Sequence, residues 1–194
     1  KKNPSPTRLE ALLDGYEFAP DAAEEIRSLR EEATQKGWWN SYASILSDSL
    51  LRYFGHEHGA ELVEYYAPGV VPGLLQTEEY ARAIIESGIP NLKLAEVERR
   101  VECRMRRQRR LNDENPIRVE VVMSEATLRQ QVGGPEVHRA QVRPLADLLE
   151  KNPDQIAIQI VPFEAPAHQA LGGASFHLMS FRAGTLPMML WQET

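Results

Sequence analysis

Apolar residues recur at steps of three and four along Leu94, Val97, Val101, Met105 and Leu111, with Gln108 as the one polar member of the stripe. That spacing predicts a long helix over 94–111. Upstream, Leu9, Leu12 and Leu13 form a shorter stripe in a helix over Thr7–Asp14, with Ser5 as N-cap, Pro6 in the first turn and Gly15 as the stop. A second helix starts at Asp21, where Glu24 completes a box-like cap and Ile26, Leu29 and Ala33 face inward. Tyr42, Ile45, Leu46, Leu50 and Tyr53 are helically spaced, which predicts a helix from Trp38 to about Tyr53. Further on, Glu125–Gln131 and Pro135–Glu150 read as helices parted by Gly133-Gly134. Period-two alternation marks strands at Ala60–Tyr66, Ile117–Met123, Ile156–Val161, Ser175–Phe181 and Met188–Glu193. The pattern is that of an α+β chain: a helical N-terminal part, then a mainly antiparallel sheet of about four to five strands covered by helices.

Between the first strand and the long helix lies Val71-Pro72-Gly73-Leu74-Leu75-Gln76-Thr77-Glu78-Glu79-Tyr80-Ala81-Arg82-Ala83. Pro72 presets φ for a tight turn, and Gly73 is expected to supply the positive φ of a type II turn. Thr77 is placed to cap the next helix, Glu78 and Glu79 oppose its dipole, and Gly88 and Pro90 end it. This is a well-specified element without the arrangement of a nucleophile, a metal cage or a phosphate cradle.

Composition narrows the class. With 194 residues, 42% of them hydrophobic and 26% charged, the chain suits a soluble protein with one substantial core and a small appendage. No apolar run is long enough to span a bilayer, and Lys1-Lys2-Asn3-Pro4 does not read as a signal peptide. A single cysteine, Cys103, excludes an internal disulfide and fits a cytoplasmic setting. The net charge of −6 disfavours a chain that coats nucleic acid by itself. Charge is uneven, however: residues 96–110 carry seven Arg against three Glu, a local +4, which leaves −10 elsewhere.

The turn-helix segment resembles the "vPGLLQTxxYARA" signature of actinobacterial antitoxin-like transcriptional regulators, in which a Cro/repressor-type helix-turn-helix head precedes a C-terminal domain. The resemblance continues in order through Gly37-Trp38-Trp39, Arg104-x-x-Arg107-Gln108-x-x-Leu111, Glu125-x-x-Leu128-Arg129, Val132-Gly133-Gly134, Gln159-x-Val161-Pro162-Phe163 and Phe176. It implies that residues 1–36 are the last helix of the head plus a connector helix, and that 37–194 form the regulatory or partner-binding domain. DNA reading is then expected before Lys1, and a further C-terminal portion after the last strand. The resemblance also implies a small partner protein, operator DNA bound through the head, and action in development and stress. Homodimers are expected because two-fold operators are read by two-fold proteins. The expected partner or effector contacts are Pro72, Gly73, Gln76, Thr77, Tyr80, Arg82, Arg104, Arg107 and Gln108.

Other candidate chemistry has a plainer reading beside it. Arg99, Arg100, Arg104, Arg106, Arg107, Arg109 and Arg110 could dock an acidic partner or DNA phosphate, or form a solvated face paired with Glu96, Glu98 and Glu102. The second is expected for most of them, while Gln108 on the apolar stripe points to a buried polar contact. Arginines around Cys103 would favour a reactive thiolate, against which stands an exposed or half-buried bystander. His56-Glu57-His58, flanked by Gly55 and Gly59, reads as a loop with solvent-facing side chains rather than a metal site. The stretch 162–173, containing His168, is either a lid or partner contact or a plain surface loop. Glu125 is expected to serve a helix dipole, and Trp38-Trp39 to anchor the connector. Neither a serine elbow, a catalytic carboxylate pair nor a dinucleotide loop is legible. No catalytic residue, metal or cofactor is therefore expected. A regulatory domain is the leading expectation, and a small-molecule sensor with an apolar pocket beneath 162–174 is its alternative.

Overall fold

The computed structural model describes residues 4–16, 18–34, 37–165, 173–182 and 187–192. The chain divides into two units, 1–41 and 42–194. In the first unit, helix α1 (Pro6–Gly15) is capped as expected, the Ser5 hydroxyl accepting from Arg8 N. Its Leu9 and Leu13 pack with Ala23 and Ile26 of helix α2 (Pro20–Thr34). Leu29, expected to face inward, is half exposed, and the side chain of Ala33 lies outside the described residues. Arg27 joins the two helices through Glu10 at 2.9 Å. Trp38 and Trp39 meet edge to face, with centroids 5.8 Å apart.

The predicted helix from Trp38 to Tyr53 is instead a short 3₁₀ turn at Trp38–Tyr42, a break, and helix α3 at Asp48–Gly59. Ser47 is the reason for the late start, since its side chain accepts from Leu50 N and nucleates the helix there. Helix α3 then runs through Gly55 and absorbs His56-Glu57-His58, which are helical and not in a loop. On a helix, positions i and i+2 diverge by about 200°, so the two histidines cannot converge on one ion. Among the described residues no group of three His, Cys, Asp or Glu could hold a metal.

The second unit holds a five-stranded sheet ordered β3-β2-β1-β4-β5, with β1 Leu62–Ala67, β2 Arg118–Ser124, β3 Ile156–Val161, β4 Phe176–Ser180 and β5 Met189–Gln192. The α+β arrangement of helices and a five-stranded sheet is the one read from the chain. Antiparallel pairing holds for β1–β4 and β4–β5, whereas β1–β2 and β2–β3 are parallel. Parallel neighbours need a crossover, and the helices supply it. Helices α4 (Glu78–Gly88) and α5 (Leu94–Arg107) connect β1 to β2; α6 (Glu125–Arg129) and α7 (Pro135–Lys151) connect β2 to β3.

Register places Ile158, Val121, Tyr65, His177 and Trp191 in one row across the sheet. The same face carries Val63, Val119, Met123 and Met179, all buried. The opposite face, apart from buried Tyr66, carries half-buried to exposed residues such as Glu64, Glu120, Gln159 and Leu190, so the alternation read from the sequence separates a core side from a more open one. Ile85 of α4 packs on Val97 and Val101 of α5, with Leu92 and Met105 alongside. Leu94, the first member of the predicted stripe, is 71% exposed, because it opens the helix ahead of the α4 contact. Gly133 and Gly134 adopt positive φ at the start of α7. A Cβ on Gly133 would meet Ala83 at 2.9 Å and Val137 at 2.8 Å, so only glycine lets this turn approach α4 so closely. Among the described residues, no helix is long and apolar enough to cross a membrane.

Candidate functional site

The Pro72–Arg82 segment folds as a short 3₁₀ turn, Gly73–Leu75, followed by α4. Leu75 N donates to Pro72 O at 2.8 Å, closing the turn. Thr77 caps α4 by accepting from Tyr80 N, and Glu78 and Glu79 occupy the first turn. Gly73 does not have the expected positive φ; among the described residues only Gly133, Gly134 and Asn91 do. The demand at Gly73 is spatial. A Cβ there would sit 3.2 Å from Nη1 of Arg107, so glycine allows a guanidinium to lie against the turn.

Helix α5 and its continuation at Gln108–Leu111 grip this turn from one side. Arg104 Nη1 donates to Gln76 Oε1 at 2.7 Å, while Gln76 Nε2 donates to Val71 O at 2.6 Å. The Gln108 amide donates to Gly73 O at 3.1 Å and to Gln76 O at 2.6 Å, a contact that is partly buried where its place on the stripe suggested a buried one. From the other side, Gln141 of α7 accepts from Thr77 N at 2.6 Å and donates to Leu75 O at 2.8 Å. Val71 N reaches the Tyr80 hydroxyl. The backbone polar groups of an irregular buried segment are thus met by side chains.

Behind the turn lies a buried ionic cluster. Arg107 donates from Nε to Glu57 Oε1 at 2.7 Å and from Nη2 to Glu57 Oε2 at 2.6 Å. Glu57 also accepts from the Tyr53 hydroxyl at 2.9 Å and the Tyr65 hydroxyl at 3.4 Å. The Arg107 guanidinium lies over the Phe54 and Tyr53 rings, 4.6 and 5.3 Å from their centroids. Burial opposes its charge, but the facing Glu57 carboxylate outweighs burial and holds Arg107 above the ordinary arginine value. Burial, reinforced by the Glu57 charge, pushes the Tyr53 and Tyr65 phenols well up, so both stay neutral donors.

Of the residues singled out from the sequence, all but Arg82 join this turn–helix network. Arg82 instead pairs on the outer side with Glu98 and Glu78. Pro72, Gln76, Tyr80 and Arg107 are buried, so they organise the segment rather than present it. Glu57, Tyr53, Tyr65, Gln141, His177 and Trp191 belong to the region too, although nothing in the motif reading pointed to them. The available signal was Tyr53 and Glu57 at i and i+4, which share a helix face once α3 is placed correctly.

These elements enclose a cleft of about 490 Å³. Pro72, Gly73, Gln76, Arg104 and Arg107 form one wall. Tyr53 and Phe54 of α3 and Tyr65, His177 and Trp191 of the sheet supply aromatic lining, and Leu50, Val70 and Ile84 supply aliphatic lining. His177 packs on Tyr65 with centroids 4.5 Å apart, and Tyr53 on Trp191 at 5.2 Å. Gly173 and Ala174, at the end of the 162–174 stretch, border the opening; His168 lies outside the described residues.

The remaining candidates resolve differently. Cys103 is 1% exposed, and burial, despite the neighbouring Arg107 and Arg104, pushes its thiol up to about 11. The thiolate reading and the exposed-bystander reading both give way to a buried, protonated thiol, because desolvation exceeds the arginine field. Two of the seven arginines have local acidic partners, Arg100 of α5 with Glu96 at 2.9 Å and Arg110 just beyond the helix with Asp113 at 3.3 Å, but only Arg99 and Arg109 are exposed, so most of them do not form the expected solvated face. Glu125 does more than face a helix dipole. It accepts from Phe163 N at 2.8 Å, a bond that lowers its carboxyl pKa, and it pairs with Arg129, which lies over the Phe163 ring.

Comparison with characterised proteins and with solved structures returned no match. The model of the family described as "Domain of unknown function (DUF5753)" matches residues 50–194, which takes in α3 from Leu50 onward, the turn, α5, the whole sheet and hence every wall of the cleft. The chain belongs to that family.

Proposed function

We propose that this chain is the effector-receiving body of a cytoplasmic, antitoxin-like helix-turn-helix transcriptional regulator, and that its effector is a small molecule held in the cleft between the turn and the sheet. The cleft carries the reading. It falls in the 300–1,000 Å³ range of small-molecule sites, is lined mainly by aliphatic and aromatic residues, and has a few fixed polar groups on one wall. Five of the residues set apart by their resemblance to regulators of this type, Pro72, Gly73, Gln76, Arg104 and Arg107, line it. Occupancy would bias the arrangement of the turn and α5, and through a paired assembly the seating of two DNA-reading heads on an operator.

The test uses the full-length regulator and its operator. A protein-free, low-molecular-weight extract of the native cell should change operator affinity for the parent protein and leave an Ala174→Trp variant, with its cleft mouth filled, unaffected. Operator affinity that responds only to a protein fraction, and equally in both forms, would replace the small-molecule effector with a small partner protein.

A further inference from the structure

We propose that the open face of the sheet docks a basic amphipathic helix of a partner protein. Its apolar residues would lie on Val122, Phe176, Leu178 and Leu190, and its lysines or arginines against Glu64 and Glu120. Topology is the first argument. The order β3-β2-β1 takes both parallel crossovers in one direction, and right-handed crossovers taken in one direction lay their helices on the same face. Tyr53 of α3 packs on the core face as well, against His177 and Trp191. Among the described residues of unit 42–194 the other face is left without a helical layer, and Ala157, Gln159 and Leu190 on it are exposed. Parallel strands are ordinarily covered by helices on both faces, so the layer this sheet lacks is a helix. The cleft rests on Tyr65, His177 and Trp191 of the core face, on the other side of the sheet.

Charge is the second. One cross-strand row of the open face reads Ala157, Glu120, Glu64, Leu178 and Leu190, and the next reads Gln159, Val122, Tyr66, Phe176 and Gln192. Tyr66 stacks on Phe176 with centroids 5.5 Å apart, so an acidic patch on β1 and β2 adjoins an apolar one. Glu64 and Glu120 stand directly opposite on adjacent strands, an arrangement of like charges that costs stability. Arg118 offsets Glu120 at 3.1 Å in an exposed pair, whereas among the described residues Glu64 has neither an ion pair nor a hydrogen bond. A cationic side chain from a partner relieves both carboxylates at once. A second copy of the chain would instead bring two more carboxylates to the contact.

Three synthetic helices should be titrated into the chain by fluorescence anisotropy: one of leucine and lysine with its leucines on one side, its counterpart of leucine and glutamate, and a lysine helix with serine in place of leucine. The leucine–lysine helix should bind at least tenfold tighter than either of the others. Joint Glu64→Lys and Glu120→Lys changes should reverse the order of the two leucine helices, and Leu190→Ser should weaken the leucine–lysine helix at least threefold. Joint Glu136→Lys and Glu150→Lys changes, at exposed positions of α7, should leave binding unaltered, as should Ala174→Trp at the cleft mouth. Failure of all three helices to bind would overturn the assignment, as would an affinity indifferent to the Glu64 and Glu120 reversal or equally sensitive to the α7 reversal. Binding abolished by Ala174→Trp would move the helix into the cleft. Sedimentation that finds a dimer of the parent chain, dissociated by Leu190→Ser, would give the face to a second copy. Should the double reversal not fold, the lysine–glutamate comparison on the parent chain and Leu190→Ser decide.

Discussion

Two arginine–glutamate contacts flank helix α5, and they show how little the residue types alone determine. Arg107 and Glu57 meet with side chains 8% and 3% exposed, closed in by Tyr53, Tyr65 and Phe54. Arg82 and Glu98 meet on the outer side with 28% and 52% exposure, beside a third charge, Glu78. Removing a partner from the first leaves an unmatched charge where water cannot follow, whereas the second is rehydrated at little cost. The inner pair thus fixes the wall of the cleft, and the outer one decorates the surface.

The sharpest way to break that contrast is Glu57→Ala. We expect a loss of about 3–5 kcal/mol in denaturant unfolding, the range for stranding a buried charge. A double change, Glu57→Leu with Arg107→Met, should recover most of the loss, because an apolar pair needs no compensation. A single change costing under about 1 kcal/mol would mean that water reaches Arg107 and the cluster is not sealed. Next in size is Gln141→Ala, which leaves Leu75 O and Thr77 N without their side-chain partner. A cost of about 1–3 kcal/mol is expected for these groups, read as a lower midpoint at unchanged m-value. Arg82→Ala should move the denaturant midpoint least of the three, and the shift should shrink further in high salt.

The smallest expected signal comes from Cys103. Its thiol titrates at about 11 in the fold, against an ordinary value of 9, so the folded state favours the protonated form. The sign follows: any stabilisation it adds is full below the unfolded value and fades as pH rises through the folded one. Alkylation by iodoacetamide at pH 8 should therefore be negligible in the native chain and rapid in denaturant. Rapid native labelling would put Cys103 in an open, cationic setting.

The repeating patterns were legible and the long-range partners were not. Strands at 117–123 and 156–161 announced themselves by alternation, and Thr77 by its place before two glutamates, since each is a local property of a few residues. Local alternation cannot say which strand lies beside which, so the parallel half of the sheet came only with the crossovers α4–α5 and α6–α7. Gly55 and Gly59 suggested a loop where α3 in fact continues, because tertiary packing of Tyr53, Phe54 and Glu57 overrides the weak helix propensity of glycine. That misplacement hid Glu57, and with it the partner of Arg107 fifty residues away. Gly73 was singled out for the wrong property: its neighbour matters, not its torsion.

The central strand has a consequence for how the chain is made. β1 is complete at Ala67, yet its antiparallel neighbour, β4, begins only at Phe176. A nascent chain emerging from the ribosome would thus hold an open edge on β1, with Val63 and Tyr65 beside it, until Ser180 has been synthesised. Such late closure is slow, since distant segments must find one another, and it leaves an interval in which chaperones or a second nascent chain compete for that edge.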